Sequence, residues 1–135
     1  MLSYKELKMR IREIGSKINV PEEMYPKINQ VGDEFSETVI KKDLYYYYIF
    51  KIERGKIVKC IKCKTSDDLM YLIFFDITDE MAGLYEVENR VNNQDYRRIM
   101  FEKQLELMKC ISIKYYQRLK MELEEVLKKY PYNDG

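Results

Sequence analysis

The side chains best able to do chemistry in this 135-residue chain crowd into residues 66–107. Asp76, Asp79, Glu80, Glu86, Glu88, Arg90, Asp95, Arg97 and Arg98 sit there among apolar residues at helical spacing. Asp76, Glu80 and Glu86 are the types needed for carboxylate acid–base catalysis or for holding a hard divalent cation. That would make the protein a small metal-dependent enzyme or regulator. Asp76, Gly83 and Arg90 recur every seven residues, however, and so share a helix face. Glu86 and Arg90 have the favoured i,i+4 ion-pair orientation. With Arg97 and Arg98 arriving on the next helix, the pattern favours a structural acid–arginine network between two helices, because guanidinium groups fit carboxylates bidentately and stay charged.

Other chemistries are poorly provided for. The chain has no histidine, which removes Ser-His and Cys-His nucleophile pairs, histidine bases and histidine metal sites. Cys60 and Cys63 form a lone CxxC without a second ligand pair, and in a strand they point to opposite faces. No phosphate loop, nucleophile elbow or dinucleotide fingerprint is present.

The elements that must carry these residues follow from pattern. Ser3-x-x-Glu6 is a capping box opening a helix over residues 4–16, with Leu7, Ile11, Ile14 and Ile18 as its apolar stripe. Residues 21–35 read as loop with a helical turn near 26–31. Residues 37–42 make a short strand, and 44–53, LYYYYIFKIE, a strong one. Arg54-Gly55 is a two-residue turn returning the chain as a strand over 56–64. That turn pairs Ile52 with Ile57, Phe50 with Lys59, Tyr48 with Ile61 and Tyr46 with Cys63, a mostly apolar face expected to meet helices. The opposite face holds Tyr45, Tyr47, Ile49, Lys51, Cys60, Lys62 and Lys64 and is expected to be partly wet. Thr65 or Ser66 caps a long helix to about residue 91, with Leu84 and Val87 in its apolar pattern and Gly83 as a possible break. Helices over 94–109 and from 113 onward follow, the last capped by Ser112, and residues 131–135 read as a tail. The expected fold is a single α+β domain over 1–135: an N-terminal helix, a small antiparallel sheet of two to three or more strands, and three C-terminal helices on one sheet face.

Charge is unevenly spread although the net charge is +1. Residues 44–65 carry six Lys/Arg against one acid, and residues 66–91 one Arg against seven acids. Neighbouring elements offsetting one another explains this, as do lysines guarding a sheet edge. A nucleic-acid module would instead use Tyr45 and Tyr47 as stacking platforms with Lys51, Lys62 and Lys64 on phosphates; the lack of an overall basic excess disfavours it. No apolar run reaches the ~18 residues of a membrane span. A charged N-terminus without a signal-peptide core makes the cytoplasm the expected location.

Several segments together resemble the bacterial immunity protein 63 family of polymorphic toxin systems: YYYYIFKIERG, LIFFDIT, YEVENR, DYRRIMFEKQLELM and LEEVLKKYPYND, across about residues 44–134. On the family's pattern the matching polar positions are Asp76, Thr78, Tyr85, Glu86, Arg90, Asp95, Arg97, Arg98 and Gln104. The tryptophans associated with the family are missing, with Leu72 and Tyr116 at the equivalent places. The resemblance implies a non-enzymatic protein that binds a cognate toxin domain stoichiometrically and needs no cofactor, nucleic acid or membrane. Tight association calls for aromatic anchors with an ionic rim, and Tyr45, Tyr47, Lys51 and Lys62 are the expected contacts. Strand propensity with cover from the first helix accounts for the same tyrosines equally well. Asp76, Glu86, Arg90, Asp95, Arg97, Arg98 and Gln104 are expected to hold the fold.

Overall fold

The computed structural model describes residues 1–135. Helix α1 (Tyr4–Ser16) begins with the expected reciprocal cap: the Ser3 amide donates to Glu6 Oε1 at 3.1 Å, and the Glu6 amide to Ser3 Oγ at 3.1 Å. Four strands follow, β1 (Lys27–Ile28), β2 (Ser36–Lys42), β3 (Tyr47–Glu53) and β4 (Lys56–Cys63), in spatial order β1-β2-β3-β4. Then come α2 (Ser66–Glu88), α3 (Arg97–Ile111) and α4 (Ile113–Lys129). The class is α+β, with one strand more than the two or three identified in the sequence.

The added strand is β1, which takes the place of the helical turn expected near residues 26–31; a 3₁₀ turn comes earlier, at Glu22–Met24. It pairs parallel to β2 through only two residues, too short for any alternation to register in the sequence. Strands β2, β3 and β4 are antiparallel neighbours. Arg54 and Gly55 both have positive φ, 50° and 78°, as a two-residue type I′ connection requires.

Two further differences concern the strands. Strand β3 starts at Tyr47 rather than at residue 44, because Asp43 Oδ1 accepts the amides of Tyr45 and Tyr46, each at 2.8 Å, and folds the first half of the aromatic run into a turn. In β4, Val58 is a bulge: Ile52 still pairs with Ile57, but Lys51 then pairs with Lys59, Ile49 with Ile61 and Tyr47 with Cys63. One extra residue therefore exchanges the two faces of β3 relative to β4.

The chain divides into two compact units, Met1–Ser16 with Pro21–Ile73, and Lys17–Val20 with Phe74–Gly135. In the first, Leu7, Ile11, Val39, Ile40, Tyr47, Ile49, Ile52, Leu69 and Met70 are buried. The Tyr47 hydroxyl accepts the Leu2 amide at 2.7 Å, and Tyr4 Oη accepts the Lys42 amide at 2.9 Å, so α1 is tied to the β2–β3 end of the sheet. Gly15 is buried in the last turn of α1 under the Tyr25 ring, which any β-carbon there would strike.

In the second unit Phe74, Ile77, Ala82, Leu107, Met108, Ile111, Tyr115, Leu119 and Leu123 are buried. Helix α2 runs unbroken through Gly83 for 23 residues, and Thr65 Oγ1 caps it through the Asp68 amide at 3.1 Å. Leu84 and Val87, expected in the core, are 55% and 63% exposed. Ser112 closes α3 through its amide and opens α4 through its hydroxyl, which accepts the Tyr115 amide at 3.2 Å.

Candidate partner-binding surface

The expected acid–arginine network between helices does not form as drawn. Arg90, just past the end of α2, folds back onto Glu86 of that helix, at 2.7 and 3.0 Å. Glu86 is buried, and the guanidinium bonds hold its carboxyl below the usual range. Arg97 turns to Asp95, donating through Nε and Nη2, while its Nη1 and Nη2 also reach the carbonyls of Tyr130 at 2.7 Å and Pro131 at 2.8 Å. Asp95 further accepts the amides of Arg97 and Asn133, and these bonds hold it far below an ordinary carboxylate. Arg98 grips Asp134 at 2.9–3.1 Å and lies 4.1 Å from the centre of the Tyr132 ring. Residues 131–135 are therefore not a loose tail: they are clasped to the start of α3. The pairing was hidden because Asp134 lies 36 residues from Arg98, beyond any local spacing rule.

Gln104 joins α3 to α2, donating to the Phe75 carbonyl at 3.1 Å and to Thr78 Oγ1 at 3.3 Å, while Thr78 donates to the Phe74 carbonyl at 2.6 Å. Asp76 stands near Asp79, whose carboxyl is raised by burial and then by the Asp76 charge. Asp76 takes part in none of the arginine pairs described above. No three carboxylates or thiols come together in a way that could hold a metal ion. Cys60 and Cys63 pair with Phe50 and Tyr47 on opposite sheet faces, and the three cysteines form no disulfide. A pocket of about 150 Å³ between α2 and α3, lined by Tyr85, Asn89, Ile99, Glu102, Lys103 and Glu106, is smaller than ligand sites usually are.

The face expected to carry Tyr45, Tyr47, Lys51 and Lys62 together does not exist. Tyr47 is 2% exposed, its hydroxyl used by Leu2. Lys51 is half-buried and donates to Thr38 Oγ1 at 3.2 Å. Lys62 points to the other face beside Tyr48, and Tyr45 lies before the strand in the turn. The Val58 bulge and the Asp43 turn account for all four placements.

What those two features create is a different surface at one end of the sheet. Leu44 and Tyr45 stand at the tip of the β2–β3 hairpin, 86% and 73% exposed, on backbone pinned by Asp43. Asp43 Oδ2 also accepts the Tyr48 hydroxyl at 2.5 Å, which pushes the Tyr48 pKa up to about 12 and holds Asp43 below its usual value. Behind the tip runs a half-buried aromatic row: Tyr46 to Tyr48 at 6.5 Å, then Tyr48 stacked on Phe50 at 6.0 Å. Lys62 Nζ sits 3.9 Å from the centre of the Tyr46 ring. Apolar anchors on a rigid support, flanked by a cation, are the makings of a protein-binding hot spot. The signal that could have located it is Asp43 followed by amides two and three residues on, a standard side-chain turn.

Comparison with known protein families matches the chain to the family described as Immunity protein 63, over residues 42–125. The chain belongs to the immunity protein 63 family. The match starts at the end of β2, takes in the hairpin tip, β3, β4, α2 and α3, and ends within α4. No curated protein and no solved structure matches the chain. Within the immunity protein 63 segment lie Asp95, Arg97, Arg98 and Gln104, whereas Asp134, which answers Arg98, lies outside it. No helix is long and apolar enough to cross a membrane.

Proposed function

We propose that the protein is a cognate immunity protein, which binds the C-terminal domain of one bacterial polymorphic toxin and neutralises it by equimolar association, without catalysis or cofactor. The observation that carries this reading is the immunity protein 63 match over residues 42–125. It acts in the cytoplasm of the cell that makes the toxin. The contact surface is the hairpin tip, with Leu44 and Tyr45 as anchors and Lys62 on the rim. The exposure of those side chains supports this assignment, as does the pinning of their backbone by Asp43. The charged groups of α2 and α3 hold the fold instead, an assignment supported by their pairing with one another, with backbone carbonyls and with Asp134.

Co-expression with the C-terminal toxin domain encoded by the adjacent gene, followed by calorimetry on the purified pair, tests the reading. Growth rescue and an equimolar complex are expected. A toxin domain that kills regardless and gives no heat of binding would exclude it for that pair.

A further inference from the structure

The sheet also has an uncovered edge. Strand β4 comes last in the order β1-β2-β3-β4 and pairs only with β3, so its outward N–H and C=O groups have no strand beside them. Lys56, Ile57, Val58, Lys59, Cys60 and Lys62 are all exposed, with Ile57 at 61% and Val58 at 57%. Beyond the bulge, residues 59–63 form five regular pairs with β3, a straight run of edge backbone. The opposite edge, β1, is two residues long.

We propose that this edge takes up an extended acidic segment of the protein partner as a fifth strand. The inference rests on the toxin-binding reading and names the chemistry of the segment bound. Lysines on an edge ordinarily discourage pairing. Here, though, Lys59 lies directly across from Lys51, and like charges so placed weaken a sheet. A carboxylate on an incoming strand beside Lys59 would offset that repulsion. Lys62, on the opposite face near the Tyr46 ring, accepts a second acid. The matching segment is therefore extended, with acids three residues apart that point to opposite faces. Two copies of this chain joined edge to edge would bring two lysine-rich edges together, so the same residues disfavour a second copy. Main-chain pairing along the edge suits a polypeptide strand rather than a phosphate backbone.

The test uses the full chain with the toxin domain encoded by the adjacent gene. Hydrogen exchange should show alternate amides of residues 59–63 slowed in the complex. K59E/K62E should weaken binding by about tenfold or more, and added salt should weaken the wild-type complex, while K120E on exposed α4 leaves affinity unchanged. Melting curves confirm that the double variant folds, and the exchange measurement does not depend on it. A tight complex with unchanged exchange in β4 and no response to K59E/K62E overturns strand addition and leaves the toxin reading standing. No complex with the wild-type chain overturns both. Edge-to-edge dimers of the free wild-type chain, or RNA retained on β4 in place of the toxin domain, would also overturn it.

Discussion

Asp95 and Asp43 are both aspartates at the mouth of a turn, and both collect several donors, yet they produce opposite surfaces. Asp95 accepts from the amides of Arg97 and Asn133 and from the Arg97 guanidinium, which in turn holds two carbonyls more than thirty residues away. Asp43 accepts only from residues two to five positions ahead, Tyr45, Tyr46 and Tyr48. When a guanidinium answers the carboxylate, spare donors remain to bind distant chain, and the region closes on itself. When amides and a phenol answer it, the turn is fixed but nothing is brought over it, and Leu44 and Tyr45 are left in solvent. One arrangement closes the fold, and the other leaves apolar side chains presented to solvent.

This contrast can be broken by substitution. The largest expected effect is on the open side: L44A/Y45A should weaken toxin-domain binding by about 100-fold while melting stays put, as hot-spot truncations do. Unchanged affinity in calorimetry would move the binding face elsewhere. On the closed side, Gln104→Ala should cost about 2 kcal/mol in urea unfolding, because it empties the space of a buried side chain and removes the amide that donates to the Phe75 carbonyl and Thr78 Oγ1. Affinity should not change.

Acid should act chiefly through the clasp. Asp95, Asp134 and Glu86 have folded values below their unfolded ones, so their contribution is complete above about pH 5 and is lost as pH falls through the lower folded values. Asp43, Glu6 and Glu22 add to the same limb. Asp95→Asn should therefore lower stability at neutral pH and flatten the acid limb, and a variant that melts with unaltered pH dependence would deny the clasp its role. The smallest effect belongs to the hairpin in base. Tyr48 is raised in the folded chain, so its contribution is full below about pH 10 and is lost as pH rises towards 12. Asp43→Asn should bring tyrosinate formation at Tyr48 back towards its ordinary value, as followed by ultraviolet absorbance.

Much of the fold was legible because its signals are local. Ser3 with Glu6, Arg54-Gly55 and Ser112 each specify a cap or turn within a few residues, and the structure uses all three as read. The candidate surface was less legible, for three physical reasons. A bulge has no fixed composition, so Val58 gave no warning that β3 would be exchanged face for face. Strand β3 is an interior strand buried on both faces in part, Ile49 on one and Ile52 on the other, so alternation could not choose between them. Finally, ion pairs across long separations, such as Arg98 with Asp134, leave no mark in spacing.

Ser112 has one more implication. A single residue ends α3 and begins α4, so the joint has no slack to absorb a change in length. Inserting one residue there would turn α4 by about 100° and rotate Tyr115, Leu119 and Leu123 away from the interior. The joint therefore works as a ruler: at this serine the count of residues must be kept.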